Sequence, residues 1–374
     1  MIIAGEISGD IHAGDLVAAI KESLPNAVFF GIGGDRMKEA GVELFYEVKD
    51  MAVMGITEII LRFGFFRRVF KHMLQIAEER KPDAVILVDY PGFNLRFAEK
   101  VHKMGIKTIY YICPQVWAWN RARIPKIAAS VDRLISIFQF EKEHFEGTGL
   151  KVDFVGHPLV DEAKIALHGE TPELPWNDGK PRVAILPGSR HQEIDRILPV
   201  LWKTALLIEN KHAKAGFIIA TPSEEISSYI REKLSKLPDG PSSFEIVAGV
   251  TKHVLRQATA AMVASGTATV ETALMECPMV IVYKVAPITA FIGKRLIKIP
   301  YIGMVNIMAG KRICPELLQE KAQPAAIAAA MDPLVLDTPE RGYMITQLGK
   351  VSATLGEGGA IGRAAAVVID ELGY

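Results

Sequence analysis

The chain has 374 residues, more than one hydrophobic core of ordinary size takes in, and its 49% apolar and 23% charged residues exclude a disordered polymer and predict two packed domains. Lys plus Arg and Asp plus Glu both number 43, which excludes a bulk attraction to nucleic acid and leaves any basic surface to be local. The three cysteines, Cys113, Cys277 and Cys314, lack metal-ligand spacing and predict buried thiols in a reducing compartment, with no disulfide.

Taken in chain order, short β-branched runs alternate with longer helical patterns, the signature of βα units around a parallel sheet. The opening strand, Met1 to Ala4, is so short that a few preceding residues are expected to be missing. Further strands are predicted over Ala27 to Ile32, Ala84 to Val88, Lys107 to Ile112, Leu134 to Ile137 and Asp153 to Val155, with a helix over Ile11 to Leu24. The pattern stops between Asp161 and Lys180, where 171–180 is dense in turn formers, and an interdomain linker is expected there. Alternation restarts at Arg182 to Leu186, Phe217 to Ala220, Phe244 to Val247, Ala260 to Val263 and Met279 to Tyr283. After about residue 320 only helical patterns remain, including Pro324 to Met331 and Ala360 to Leu372. The expected organisation is an N-terminal Rossmann-like domain over 1–165, a second over 166–335, and a helical tail over 336–374 able to cap either. Two such domains place the default ligand site in the cleft between them. No run approaches the roughly 18 apolar residues of a transmembrane helix and no signal-peptide pattern opens the chain, so a cytoplasmic protein is expected.

Five constellations sit where predicted strands end. In Ala4-Gly5-Glu6-Ile7-Ser8-Gly9-Asp10 a strand breaks into a glycine-bounded turn before a helix; this allows close approach of a ligand, or is a tight turn capped by Ser8 or Asp10. It lacks Gly-x-Gly-x-x-Gly, which disfavours an NAD oxidoreductase. Asp89, in Asp89-Tyr-Pro-Gly-Phe-Asn94, is either a general base at a strand end or a helix cap, and Asn94 orients a substrate or stabilises the turn. Trp117 and Trp119 offer stacking surfaces for a sugar or acyl chain, or are core aromatics; the neighbouring Arg121, Arg123 and Lys126 favour an anionic ligand. Gly188, Ser189 and Arg190, in Leu-Pro-Gly-Ser-Arg at a helix start, form a diphosphate site without being a Walker loop. Ser265, Gly266, Thr267 and Ala268 open another helix toward a pyrophosphate, with Glu271 placed for ribose hydroxyls; a plain Ser/Thr cap is the alternative.

These motifs, together with Gly-Ile-Gly-Gly at 31–34, Met54-Gly55-Ile56-x-Glu58, Val155-Gly-His-Pro158 and Pro315-Glu-Leu-Leu-Gln319, occur in the order shown by lipid-A-disaccharide synthases, and the chain resembles that family over nearly its whole length. The resemblance implies a GT-B fold, two facing Rossmann-like domains with parallel sheets and an interdomain cleft. It implies that UDP-2,3-diacylglucosamine donates its sugar to 2,3-diacylglucosamine 1-phosphate, an inverting transfer giving a β-1,6-linked disaccharide and UDP. Asp89 then matches the family's proposed base, Arg190 its leaving-group cation and Glu6 another acidic position; Asn306, in Gly303-Met-Val-Asn306, stands where the family shows Leu-Pro-Asn. Met54, Trp117 and Trp119 fall to the acceptor side. Ile7 and Gln139 depart from the family pattern but replace no proposed catalytic side chain. No cofactor is implied, and the sequence has no Asp-x-Asp motif to hold a metal. The tail has the composition to dock on either domain or to exchange between subunits of a homodimer. The competing readings are a GT-B transferase using UDP-N-acetylglucosamine and a lipid carrier, and a silent sugar-nucleotide or lipid-binding protein that keeps Arg190 and Glu271 but needs neither Asp89 nor Glu6.

In 56–74, Ile59, Ile60, Phe63, Phe66, Val69 and Phe70 recur at helical spacing, with Phe65 adjacent and Arg62, Arg67, Arg68 and Lys71 among them. A core helix with a basic face is one reading. The break at Gly64 beside Phe65-Phe66 and the four basic residues favour the other, a peripheral contact through Phe63, Phe65 and Phe66 with the inner face of the inner membrane.

Overall fold

Near-continuous apolar strands are what a parallel sheet covered on both faces requires, and the chain builds two such sheets. The computed structural model describes every residue except 52–62, 288, 291–294 and 296–298, with the backbone alone at Trp119. It packs as two units, Met1–Pro158 with Leu355–Tyr374, and Leu159–Thr354.

The first unit runs β1 (Ile2–Ala4), α1 (Ile7–Ser23), β2 (Phe29–Gly33), α2 (Asp35–Glu39), β3 (Val42–Glu47), α3 (Val48–Met51), α4 (Phe63–Arg80), β4 (Ala84–Val88), α5 (Pro91–Lys103), β5 (Lys107–Tyr111), α6 (Val116–Trp119), α7 (Ile124–Ala128), β6 (Arg133–Ser136) and β7 (Lys151–Phe154). The strands lie in the order β3-β2-β1-β4-β5-β6-β7, and each pairing is parallel. β4, Ala-Val-Ile-Leu-Val, is buried along its whole length. β3 is absent from the sequence reading: it is an edge strand, only partly covered, so its apolar residues make no continuous run.

The second unit contains α8 (Leu159–His168), β8 (Arg182–Leu186), α9 (His191–Lys211), β9 (Gly216–Thr221), α10 (Glu224–Leu234), β10 (Phe244–Ala248), α11 (Thr251–Gln257), β11 (Ala260–Ala264), α12 (Thr267–Leu274), β12 (Met279–Tyr283), α13 (Met304–Ala309), β13 (Glu316–Leu318), α14 (Pro324–Val335) and α15 (Pro339–Ala353). Its sheet has the order β10-β9-β8-β11-β12-β13. β13 has three residues, too few to leave a periodic signal.

Residues 170–180 carry neither helix nor strand, as a turn-rich segment should, but the change of unit comes earlier, after Pro158. The reason is α8, which packs on α11 and α12 and is fixed there by Lys252 to Glu162 at 2.7 Å and Arg256 Nη1 to the Ala166 carbonyl at 2.9 Å.

The chain returns to the first unit after Thr354. The last helix, α16 (Ala360–Leu372), lies along α1. Its anchors are long-range: Arg363 donates to the Val155 carbonyl from Nε at 2.9 Å and Nη2 at 2.6 Å, and the Leu355 carbonyl accepts from the His157 amide at 2.8 Å. Arg133, itself paired with Asp153, also reaches Asp370 at 3.1 Å and Glu371 at 3.3 Å.

Candidate active site

In an open parallel sheet the ends of the two strands where the chain order reverses diverge, leaving room for a ligand. In the first unit those strands are β1 and β4, in register at Ala4 and Val88. Glu6 and Asp89 therefore leave the sheet side by side, both half-buried. Gly5 is required by the approach: a Cβ there would sit 2.2 Å from the Tyr90 ring.

The Asp89 turn is strained and held. Asp89 and Tyr90 both have positive φ, 46° and 49°, a region that non-glycine residues rarely enter. Asn94, fully buried, donates from Nδ2 to the carbonyls of Val88 at 3.2 Å and Asp89 at 2.8 Å; the Tyr110 hydroxyl donates to the same Asp89 carbonyl at 2.6 Å. Of the two roles open to Asn94, the observed one is stabilising the turn. Tyr90, not Asp89, occupies the N-cap position of α5.

Asp10 does not cap its own helix. Its carboxylate accepts from the backbone amides of Gly34 at 2.6 Å, Arg36 at 3.1 Å and Met37 at 3.2 Å, so it caps α2 across the sheet end. Glu6 holds the N-cap position of α1 with extended backbone and no side-chain capping bond, and neither Ser8 nor Asp10 fills that place.

Trp117, expected to stack on a ligand or to be core, is core. It is 2% exposed, its ring lies flat on His144 at 5.7 Å and edge-on to Phe140 at 5.0 Å. Its indole N–H donates to Glu141 at 3.2 Å. Arg121 and Lys126 are exposed near it, and Arg121 Nε donates to the Trp117 carbonyl at 3.1 Å. Trp119 has no described side chain, and Met54 lies outside the described residues. His157 is buried against Phe138 at 5.1 Å; burial first, and the neighbouring His12 second, push its pKa down to about 3 and keep the ring neutral.

Two carboxylate side chains that the sequence reading missed hold loops, one in each unit. Glu141, 1% exposed, lies between Trp117 and Ser136; Glu316 accepts from the amides of Ile302 and Gly303, each at 3.0 Å, in the second unit. A carboxyl group among aromatic residues, Phe138-Gln-Phe-Glu141, was the available signal for the first. The second lay inside a motif already noted, Pro-Glu-Leu-Leu-Gln.

The second unit repeats the plan at β8 and β11, in register at Leu186 and Val263. Pro187 to Arg190 and Ser265 to Thr267 emerge together. Gly188 has φ +111°, and a Cβ would also meet the Glu193 carboxylate at 2.9 Å. Ser189 and Arg190 are exposed, and the guanidinium lies 3.7 Å from Glu193. Gly266 is the N-cap of α12 and carries no side-chain cap, so the plain Ser/Thr cap is not what is seen. Gly266 and Thr267 are exposed, Ser265 and Ala268 partly so, and Ser265 Oγ donates to the Ile302 carbonyl at 3.4 Å. Glu271 pairs with Lys252 at 3.1 Å.

Asn306 is enclosed. Its Nδ2 donates to the Cys314 carbonyl at 2.9 Å and to Glu316 at 2.7 Å, and its Oδ1 accepts from the amides of Ile313 at 2.8 Å and Cys314 at 2.9 Å. Both donors and both acceptor positions of the amide are thereby used inside the protein, and the side chain is fully buried.

In α4, Phe63 is 59% exposed, whereas Phe65 and Phe66 are half-buried, meeting each other edge-on at 5.6 Å, with Phe65 also against Tyr46 at 6.4 Å. Arg67, Arg68 and Lys71 are exposed, while Val69 and Met73 are core. No described helix is long and apolar enough to cross a membrane, and no cluster able to hold a metal occurs among the described residues.

A family model described as lipid-A-disaccharide synthetase matches residues 1–355. Lipid-A-disaccharide synthases of Geobacter metallireducens and Syntrophus aciditrophicus are each 38% identical, over 100% and 99% of this chain and 97% and 96% of theirs. Among solved structures, a UDP-GlcNAc 2-epimerase from Neisseria meningitidis bound to UDP-GlcNAc superposes with TM-score 0.62 at 12% identity, covering 97% of each chain. The calicheamicin glycosyltransferase CalG4 gives 0.60 at 15% identity, covering 100% of this chain and 96% of that one. These likenesses establish the GT-B fold, with its two parallel-sheet α/β domains. With the full-length sequence match, the chain belongs to the lipid-A-disaccharide synthase family, glycosyltransferases that form the lipid A disaccharide.

Proposed function

We propose that the protein transfers 2,3-diacylglucosamine from UDP to 2,3-diacylglucosamine 1-phosphate with inversion at the donor carbon. The observation that carries this reading is the pairing of chemistries at the two sheet ends: carboxylates in the first unit, an open anion-binding turn with Arg190 in the second. Asp89 takes the proton from the acceptor hydroxyl as its oxygen bonds to the donor's anomeric carbon. The bond from that carbon to the diphosphate breaks, and UDP departs with the electron pair. Arg190 and the backbone amides after β8 and β11 stabilise the charge on the leaving diphosphate. Binding of UDP-GlcNAc by the Neisseria relative in fold supports a UDP-sugar as the donor.

Asn306 is assigned to holding the 303–316 segment rather than to substrate contact, since its hydrogen bonds are satisfied internally. Glu6, beside Asp89, orients the acceptor or assists the base. Exposed Phe63 with Arg67, Arg68 and Lys71 forms the proposed membrane contact on the cytoplasmic face, through which lipid substrates are reached. Incubation with both acylated sugars, followed by mass analysis, tests the reading: a disaccharide 1-phosphate and one UDP per product are expected. No disaccharide from well-dispersed substrates would overturn it.

A further inference from the structure

The corner next to Asp89 holds a carboxyl group that the transfer reaction does not obviously need. Glu141 follows β6 in the short helical turn Gln139–Phe145, and its side chain is sealed from solvent. One oxygen accepts from the Trp117 indole at 3.2 Å. The other lies 2.6 Å from the Ser136 hydroxyl.

Proton counting at Ser136 decides what state this arrangement accommodates. Ser136 Oγ lies 2.6 Å from Glu141 Oε2 and 2.7 Å from the Phe138 carbonyl, and it accepts from the Phe138 amide at 3.2 Å. A hydroxyl has one hydrogen and cannot give it to both oxygens. If Glu141 is ionised, Ser136 must turn to it, the 2.7 Å contact between Ser136 Oγ and the Phe138 carbonyl then holds no hydrogen, and that carbonyl keeps only the Glu141 amide at 3.2 Å. If Glu141 carries a proton, it donates to Ser136, Ser136 donates to Phe138, and every short contact is satisfied. The surroundings agree: burial foremost, and the charge of Asp89 besides, push the Glu141 pKa up to about 7 against the pull of its hydrogen bonds.

We infer that Glu141 is a positioning residue for the transfer reaction, held as the neutral acid so that it locks the turns after β5 and β6 beside Asp89. The inference rests on the reading of Asp89 as the base. The titratable groups facing Glu141 are Asp89 at the end of β4 and Cys113 after β5, whose thiol is pushed up by burial first and by Glu141 second. His144 lies beyond the Trp117 indole with Arg121 near it. Arg133 of β6 and Asp153 of β7 are engaged with each other. Among the described residues no cation is seen paired with Glu141, so its ionisation would bring a second negative charge beside Asp89.

The sign follows. A carboxyl whose folded pKa is raised from 4.5 to about 7 contributes stability that is complete below the lower value and is lost as pH rises through the upper one. The test compares wild type, Glu141→Gln and Asp89→Asn for melting temperature and for acceptor kcat/KM between about pH 6 and about pH 9. For the wild type, a fall in melting temperature and at least roughly a threefold fall in kcat/KM across that range are expected. Glu141→Gln, a permanently neutral isostere, should fold, match the low-pH wild type and lack both limbs. Limbs unchanged in Glu141→Gln, no limb in the wild type, or failure of the Gln variant to fold would each overturn the inference. Full activity in Asp89→Asn would instead overturn the assignment of the base, leaving the melting comparison to judge Glu141 by itself.

Discussion

The two switch points use one topology for opposite ends. In the first unit the end of β4 is enclosed: the backbone at Asp89 is strained and is gripped by Asn94 and Tyr110, with Glu141 sealed nearby. In the second, Ser189, Arg190, Gly266 and Thr267 are exposed around helix starts that present backbone amides. A base must be held in one geometry and partly desolvated, whereas a diphosphate is bound by amides and a guanidinium that have to remain reachable. Both units hold buried polar side chains here, Asn94 and Glu141 in the first and Asn306 in the second, and the second adds exposed turns with small residues and a guanidinium.

The sharpest way to break this contrast is Asp89→Asn. Turnover should fall by roughly two orders of magnitude or more while UDP affinity, measured by calorimetry, is kept. Activity within a few fold of wild type would move the base to Glu6. Asn94→Ala attacks the grip rather than the carboxylate: losing the donors to Val88 and Asp89 should cost about 1–3 kcal/mol, read as a lower melting temperature. An unchanged melting point would mean that the strained turn holds itself.

Arg190→Ala probes the open side, with UDP binding expected to weaken about tenfold and no change in melting, because the side chain is 63% exposed. Equal affinity and rate would remove it from the site. The smallest effect on the fold is expected from Phe63→Ser, within about 0.5 kcal/mol, yet it should reduce co-sedimentation with anionic vesicles. Phe65 and Phe66 are poor probes of that contact, since they pack on the core and their loss would unfold as well as detach. Undiminished vesicle binding by Phe63→Ser would place the contact elsewhere.

Strands buried on both faces were legible because their residues are apolar without interruption, and Gly5, Asp89, Gly188 and Gly266 were legible because glycine and acid at a strand end mark a turn. What was not legible depends on partners remote in sequence. Asp10 reads as a local cap, and only the neighbouring β2–α2 turn reveals that it serves another helix. Trp117 reads equally as platform or core until Glu141, Phe140 and His144 close around it. Asn306 followed the family pattern into a catalytic expectation, whereas its four internal bonds are visible only when 313–316 folds back over it.

The return of the chain to its first unit sets an order of events during synthesis. The second unit is contiguous, Leu159–Thr354, and has all its residues before 355–374 are made. The first cannot be finished then, because Val155 awaits Arg363 and Arg133 awaits Asp370 and Glu371. The half made first on the ribosome is thus completed only after the second unit, with the α1 face that α16 covers left open until that helix has been made.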